Sequence, residues 1–236
     1  MTFNLIGLGL GKNSITAEAL ETLKKCDEVY LEGYTVDFPY TSEELSKSLD
    51  TKLEVLPREK VEDESILVNA KEKNIALLVY GDSLSATTHT QLVLACKQQK
   101  IPFEIYHNAS IMTAIAQTGL QPYKFGKTSS MPSWTDSWKP DSFMEYIKEN
   151  KSIGAHSLLL VDIGLDLEKA KEQLMIAFSN YKVKLDKIIL VSNIGTENQK
   201  IIYVNLENSP EEIPKPFCFI IPGKLQEMES EFLDYN

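Results

Sequence analysis

Three short stretches of this 236-residue chain group small, polar and ionisable residues in ways that could hold a ligand. The first, Gly7-Leu8-Gly9-Leu10-Gly11, lacks side chains where a backbone would have to approach a bound group. It fits neither common phosphate-binding pattern. A dinucleotide fingerprint needs glycine at position 12, where Lys12 stands. A P-loop needs glycine at 6 and Ser or Thr at 13, where Ile6 and Asn13 stand. Two readings stay open for these glycines, a tight turn alone or one wall of a binding site. The second stretch, residues 81–89, supplies Asp82, Ser83, Ser85, Thr87, Thr88 and His89. Helix capping by Asp82 and Thr87 accounts for one or two of these residues but not for the whole run. The third, His107-Asn108-Ala109-Ser110-Ile111, has the same small, polar texture.

The weaker candidates are isolated. Glu32 falls about where a ribose-binding acid sits in a nucleotide-binding βαβ unit. Asp162 ends a strand and could cap, pair with a cation or touch a ligand. His89 and His156 read as hydrogen-bonded structural histidines. His107 is better placed, but nothing in the sequence pairs it with a nucleophile. No Ser-His-Asp or Cys-His arrangement is identifiable, so no catalytic residue is assigned. Cys26, Cys96 and Cys218 are odd in number and stand at no metal-ligand spacing with the histidines, so no metal site and no disulfide framework are expected.

The elements that must position these stretches are legible in the pattern. Residues 2–6 form a β-rich run that opens onto the glycines, and Ile15, Ala19, Leu20 and Leu23 follow at helical spacing. Strands are expected at 29–31, 53–56, 75–80 and 103–106, with helical composition over 61–73. The continuous apolar run at 75–80 suits a strand covered on both faces, as in a parallel sheet. Thr87 or Thr88 is expected to cap the helix that carries Leu92 and Cys96, and Ser110 the helix through Ile115. This alternation predicts right-handed crossovers and an open α/β sheet, whose strand-end loops form one crevice. Residues 119–140, rich in Gly, Pro, Ser and aromatics, read as the crossing between two lobes, with Trp134 and Trp138 packed at the junction. Beyond it, helices at 143–148 and 167–178 and strands at 158–162, 188–192, 201–204 and 217–221 predict a second, mixed sheet. The expected domains are 1–122 and 123–236.

Bulk properties narrow the partners. The formal net charge of −10 argues against nucleic acid and anionic membranes, which draw affinity from Lys and Arg. The first residues lack a signal peptide's basic and apolar regions, and no apolar run reaches the length of a membrane span. A reduced, cytoplasmic location is the expectation.

Several strings, in order along nearly the whole chain, resemble the diphthine synthase family of the tetrapyrrole-methylase fold class. They are Leu5-Ile6-Gly7-Leu8-Gly9-Leu10, Val29-Tyr30-Leu31-Glu32-Gly33-Tyr34-Thr35, Gly81-Asp82 with Ala86-Thr87-Thr88-His89, and His107-Asn108-Ala109-Ser110-Ile111-Met112. Further along stand Tyr123-Lys124-Phe125-Gly126, Trp134-Thr135-Asp136-Ser137-Trp138 and Pro222-Gly223-Lys224-Leu225. The resemblance implies an α/β fold of two lobes, the first sheet mostly parallel and the second mixed, with S-adenosylmethionine in the cleft between them. It also implies a homodimer that methylates a modified histidine of translation elongation factor 2 during diphthamide synthesis. The Asn-Ala-Ser-Ile-Met and Trp-Thr-Asp-x-Trp strings look like the eukaryotic branch, which adds a methyl ester after trimethylating the amine. Carried over residue by residue, donor contacts are expected at Leu10, Asp82, Ser85, Ser110, Ile111, Val161, Ile194 and Phe217.

The chain departs from the family where Gly-Asp-Pro becomes Gly81-Asp82-Ser83 and Asp-Ile-Lys becomes Asp162-Ile163-Gly164, with a shortened segment after it. It departs again where Leu-Ala-Arg becomes Val191-Ser192-Asn193. Two other readings are set beside the leading one: a methylase of the same fold acting on a tetrapyrrole or other small molecule, and a donor-binding regulatory protein without turnover.

Overall fold

The computed structural model describes residues 1–235 and divides the chain into two compact units, Met1–Met112 and the segment from Thr113 onward. The first unit alternates strand and helix: β1 (Phe3–Gly7), α1 (Ala17–Leu23), β2 (Glu28–Glu32), α2 (Ser42–Leu49) and β3 (Glu54–Leu56). It continues with α3 (Arg58–Glu62), α4 (Ile66–Asn69), β4 (Ile75–Val79), α5 (Thr90–Gln99), β5 (Phe103–Tyr106) and the short α6 (Ile111–Ala114) at the boundary. Its five strands lie in the order β3-β2-β4-β1-β5, every pair parallel. Parallel strands need crossovers, and the crossovers cover both faces, which is why β1 and β4 are buried at every residue. Alternate side chains feed two separate cores. Phe3, Leu5, Ile75, Leu77 and Val79 join one, and Ile6, Leu8, Ala76 and Leu78 join the other.

The second unit contains β6 (Ser129–Met131), α7 (Phe143–Ser152), β7 (Ser157–Val161), α8 (Leu167–Asn180), β8 (Lys187–Ser192), β9 (Lys200–Asn205), β10 (Phe217–Ile221) and α9 (Glu227–Asp234). The sheet order is β6-β7-β10-β8-β9, with β6 parallel to β7 and every other pair antiparallel. One α/β sheet is therefore parallel and the other mixed, as the sequence implies. On α8, Leu167, Ala170, Leu174, Ala177 and Phe178 recur at helical spacing and bury one stripe in the core beneath this sheet.

Four sequence expectations are corrected. The helical composition of 61–73 does not make one helix, because Glu64 takes a left-handed φ of 61° and separates α3 from α4. Neither Thr87 nor Thr88 takes the N-cap position of α5: His89 stands there and its own side chain caps nothing, while Thr87 Oγ1 accepts from the His89 N–H at 3.4 Å. The segment 119–140 is not only a crossing. It holds β6, and the backbone N–H of Gln121 donates to Glu229 within the second unit. Trp134 packs on the second core and donates from Nε1 to the Pro140 carbonyl (2.9 Å), whereas Trp138 is exposed rather than packed.

Candidate functional site

Because every strand of the first sheet runs the same way, the loops after β1, β4 and β5 emerge at one edge. The chain leaves β1 towards β2 and leaves the adjacent β4 towards β5, which are opposite directions across the sheet. Such a switch point opens a crevice at the carboxyl ends of the strands. Here its floor is stitched together. Gly9 and Gly81 exchange backbone hydrogen bonds at 3.0 and 2.9 Å, and the Asn108 amide donates to the carbonyls of Gly7 (3.1 Å) and Ser14 (2.8 Å). A Cβ on Gly7 would lie 2.7 Å from the Gly81 carbonyl oxygen. Gly9 has φ +72°, and a Cβ there would lie 2.7 Å from Ser14 Cβ. The glycines are thus required by close packing of the three loops, which the sequence could not distinguish from an open turn.

Asp82 is the knot between the second and third loops. Its Oδ1 accepts from the Leu84 N–H (3.0 Å) and Ser85 Oγ (3.1 Å), and its Oδ2 from His107 Nδ1 (2.8 Å) and the Asn108 N–H (3.1 Å). Burial would raise its pKa, but these four donors outweigh burial and hold the carboxyl below its usual range. The carboxylate is saturated, so it fixes the loops that carry Ser85, Ser110 and Ile111. The His107 side chain is 68% exposed, whereas that of Asp82 is 10% exposed.

The expected donor contacts fall into two local groups. Leu10, Asp82 and Ser110 are buried and Ser85 and Ile111 half-buried, all on the loops at the edge of the first sheet. Ser110 Oγ accepts from the Met112 N–H at 3.2 Å, capping α6 as the sequence implies. In the second unit, the register Cys218↔Leu160 and Phe217↔Ser192 brings Val161, Ile194 and Phe217 to one end of the mixed sheet. Beside them Asn193 adopts a left-handed φ of 47°, and its buried Oδ1 has no hydrogen-bond partner among the described residues.

The weaker candidates resolve differently. Glu32 is fully buried and accepts from the Tyr34 and Thr35 N–H groups and from Thr35 Oγ1, so it shapes its own loop. His89 donates from Nδ1 to the Ser83 carbonyl (3.2 Å), and burial, opposed by the charge of Glu32, lowers its pKa. His156 is buried against Glu229. Asp162 accepts from the N–H groups of Ser133 (3.0 Å) and Ile163 (3.1 Å) and serves as a turn acid. Among the described residues no group of three or more His, Cys, Asp or Glu side chains could hold a metal ion.

A tetrapyrrole (corrin/porphyrin) methylase model matches residues 2–209. A diphthine methyl ester synthase of Bos taurus is 34% identical over 264 residues, covering 97% of this chain and 93% of that one. The chain belongs to the diphthine synthase family. Higher identity is confined to a shorter stretch. The Saccharomyces cerevisiae and Homo sapiens diphthine methyl ester synthases are 49% and 46% identical over 173 and 172 residues. Each match covers 72% of this chain, but only 56% and 59% of those relatives' length. Among solved structures, one assigned to an Entamoeba histolytica diphthine synthase superposes with a TM-score of 0.89 at 32% identity, covering 99% of this chain and 97% of that one. A second diphthine synthase gives 0.90 at 29% identity, covering 100% and 95%.

In this diphthine synthase family member the residue that sequence reading missed is Asn108, which joins the first and third loops. Its signal was present: an Asn after a strand-end histidine, facing a glycine turn with backbone carbonyls to satisfy. The pairing of His107 with Asp82 left no signal, since 25 residues separate them.

Proposed function

We propose that this protein is an S-adenosylmethionine-dependent methyltransferase of the diphthine methyl ester synthase type. It methylates the modified histidine of translation elongation factor 2, three times on the amine and once on the carboxylate. The observation that carries the reading is the stitched edge of the first sheet. Gly9, Asp82 and Asn108 lock the loops bearing Leu10, Ser85, Ser110 and Ile111, the positions the family uses for the donor. The residues present suit that donor. Val161, Ile194 and Phe217 offer apolar surface, and the unpartnered Asn193 Oδ1 beside them is an acceptor for an amino group. The fully bonded Asp82 keeps its loop from shifting when a ligand arrives.

The bound sulfonium supplies an already activated methyl group. The chain's own residues then have to hold the amine in line, exclude water and receive protons. A reaction of this kind needs no Ser-His-Asp triad. The family resemblance supports action as a homodimer in the cytoplasm. No helix among the described residues is long and apolar enough to cross a membrane.

Two measurements test the reading. Calorimetry should give saturable binding of S-adenosylmethionine, and no heat at millimolar ligand would overturn it. Mass spectrometry of elongation factor 2 that lacks its mature modification should then show mass gains of up to four methyl groups after incubation with the protein. Modification of a tetrapyrrole instead, or donor binding with no turnover, would replace this substrate by one of the alternatives.

A further inference from the structure

We propose that His107 is the catalytic base of the amine methylations and that Asp82 positions it. This rests on the methyltransferase reading above. His107 stands immediately after β5, at the edge where the loops of the first sheet meet, and Asp82 stands just after β4. Asp82 Oδ2 is a carboxylate oxygen and only accepts. At 2.8 Å, His107 Nδ1 therefore donates, and the neutral ring carries its lone pair on Nε2. No hydrogen bond to Nε2 is present among the described residues, and the side chain is largely open to solvent. This is the arrangement by which a buried carboxylate fixes a histidine's tautomer and stabilises its protonated form while leaving the other nitrogen to take a proton.

The other two histidines lack this arrangement. His156 uses both ring nitrogens, accepting from the Gly223 N–H at Nδ1 (2.9 Å) and donating to Glu229 from Nε2 (3.2 Å). His89 has a free Nε2 but is 1% exposed. His107 alone joins a fixed tautomer to an accessible lone pair.

The reaction has a matching need. An aliphatic α-amino group has a pKa of roughly 8, so it is largely protonated near neutrality and has no lone pair. His107 Nε2 takes one proton from the ammonium. The amine lone pair then forms the N–C bond to the methyl group as the C–S bond breaks and its electron pair goes to sulfur. The methylated nitrogen again bears a proton, which Nε2, having passed the first to solvent through its exposed face, must accept before the next transfer. Three transfers release three protons, and the third leaves a quaternary nitrogen with none. Ester formation differs: the carboxylate is already ionised and its oxygen attacks without losing a proton. The structure therefore assigns His107 to the N-methylations and not to the esterification.

The test uses the full chain and its His107→Asn variant, whose amide nitrogen sits close to the Nδ1 position and can still donate to Asp82. Mass spectrometry follows initial rates on two forms of elongation factor 2, one with the unmethylated amine and one already trimethylated. The variant should lose about 10²-fold in N-methylation, in line with the usual worth of a general base. Esterification should stay within about twofold. Equal losses on both substrates, or no loss on either, would overturn the assignment. A second readout needs no turnover. In its neutral form the His107 ring should show a protonated Nδ1 and an unprotonated Nε2 by 15N NMR, and the opposite tautomer would refute the base whatever the activity. Wild-type protein inactive on both substrates would instead overturn the proposed function, with the NMR result still judging the base.

Discussion

Asp82 in the first unit and Glu229 in the second have nearly the same coordination and opposite consequences. Each carboxylate accepts four hydrogen bonds, two from backbone N–H groups and one from a histidine ring. The fourth donor differs. Ser85 Oγ completes Asp82, whereas the Lys124 ammonium completes Glu229. Exposure differs too. The Glu229 and His156 side chains are 1% and 0% exposed and His156 has both nitrogens bonded, so that group can only hold structure. The Asp82 pair leaves one nitrogen open to solvent. A carboxylate and a histidine thus become a structural pin or a proton device according to whether the second ring nitrogen is used.

The comparison can be broken most directly at Glu229. Glu229→Ala would leave the buried His156 and the half-buried Lys124 without their shared partner and should cost about 3 kcal/mol, read as lost stability in chemical denaturation. A loss under 1 kcal/mol would show that the second cluster is not a pin. Acid titration sharpens the same point. Burial would raise the Glu229 pKa, but donation from Lys124, Gln226, Gln121 and His156 pulls it down to about 2 from an ordinary 4.5. A depressed folded pKa gives stability that is complete above the unfolded value and lost as pH falls towards the folded one. Glu229 should therefore add about 3 kcal/mol at pH 6 that fades between pH 4.5 and 2. Glu229→Gln should flatten that limb of the stability profile, and an unchanged limb would contradict the assignment.

Smaller effects are expected in the first unit. Asp82→Asn replaces two acceptor lone-pair sites with an amide and should cost about 1–2 kcal/mol of stability. It should also weaken donor binding in calorimetry, because the loops carrying Ser85 and Ser110 lose their common anchor. His107→Asn should change stability least, by under about 0.5 kcal/mol in urea unfolding, since its exposed ring contributes little packing. A loss as large as that of Glu229→Ala would erase the distinction between the two pairs.

The two units were not equally legible. The parallel sheet announces itself through the continuous apolar run at Ile75–Val79 and the strand-to-glycine junction at Gly7, because a doubly covered strand has no polar face to confuse the pattern. The three-residue β6 is too short to show a period, and its pairing with β7 is a tertiary event. Thr41 and Glu44 form a capping box at α2, a signal carried by the sequence and overlooked in reading it. The break at Glu64 had no such signal, since a left-handed glutamate is held only by its surroundings.

The sequence by itself determined the order of elements, the glycine turn, the three strand-end loops and the family to which their strings belong. These are local matters of periodicity, turn chemistry and residue type. Only the tertiary structure decided what the polar residues do. It placed His107 against Asp82, closed both nitrogens of His156 and buried Glu32 against the backbone of its own loop. The reason is physical: a histidine's tautomer and a carboxylate's charge are set by the donors and acceptors that folding brings within about 3 Å, and linear spacing carries no record of them.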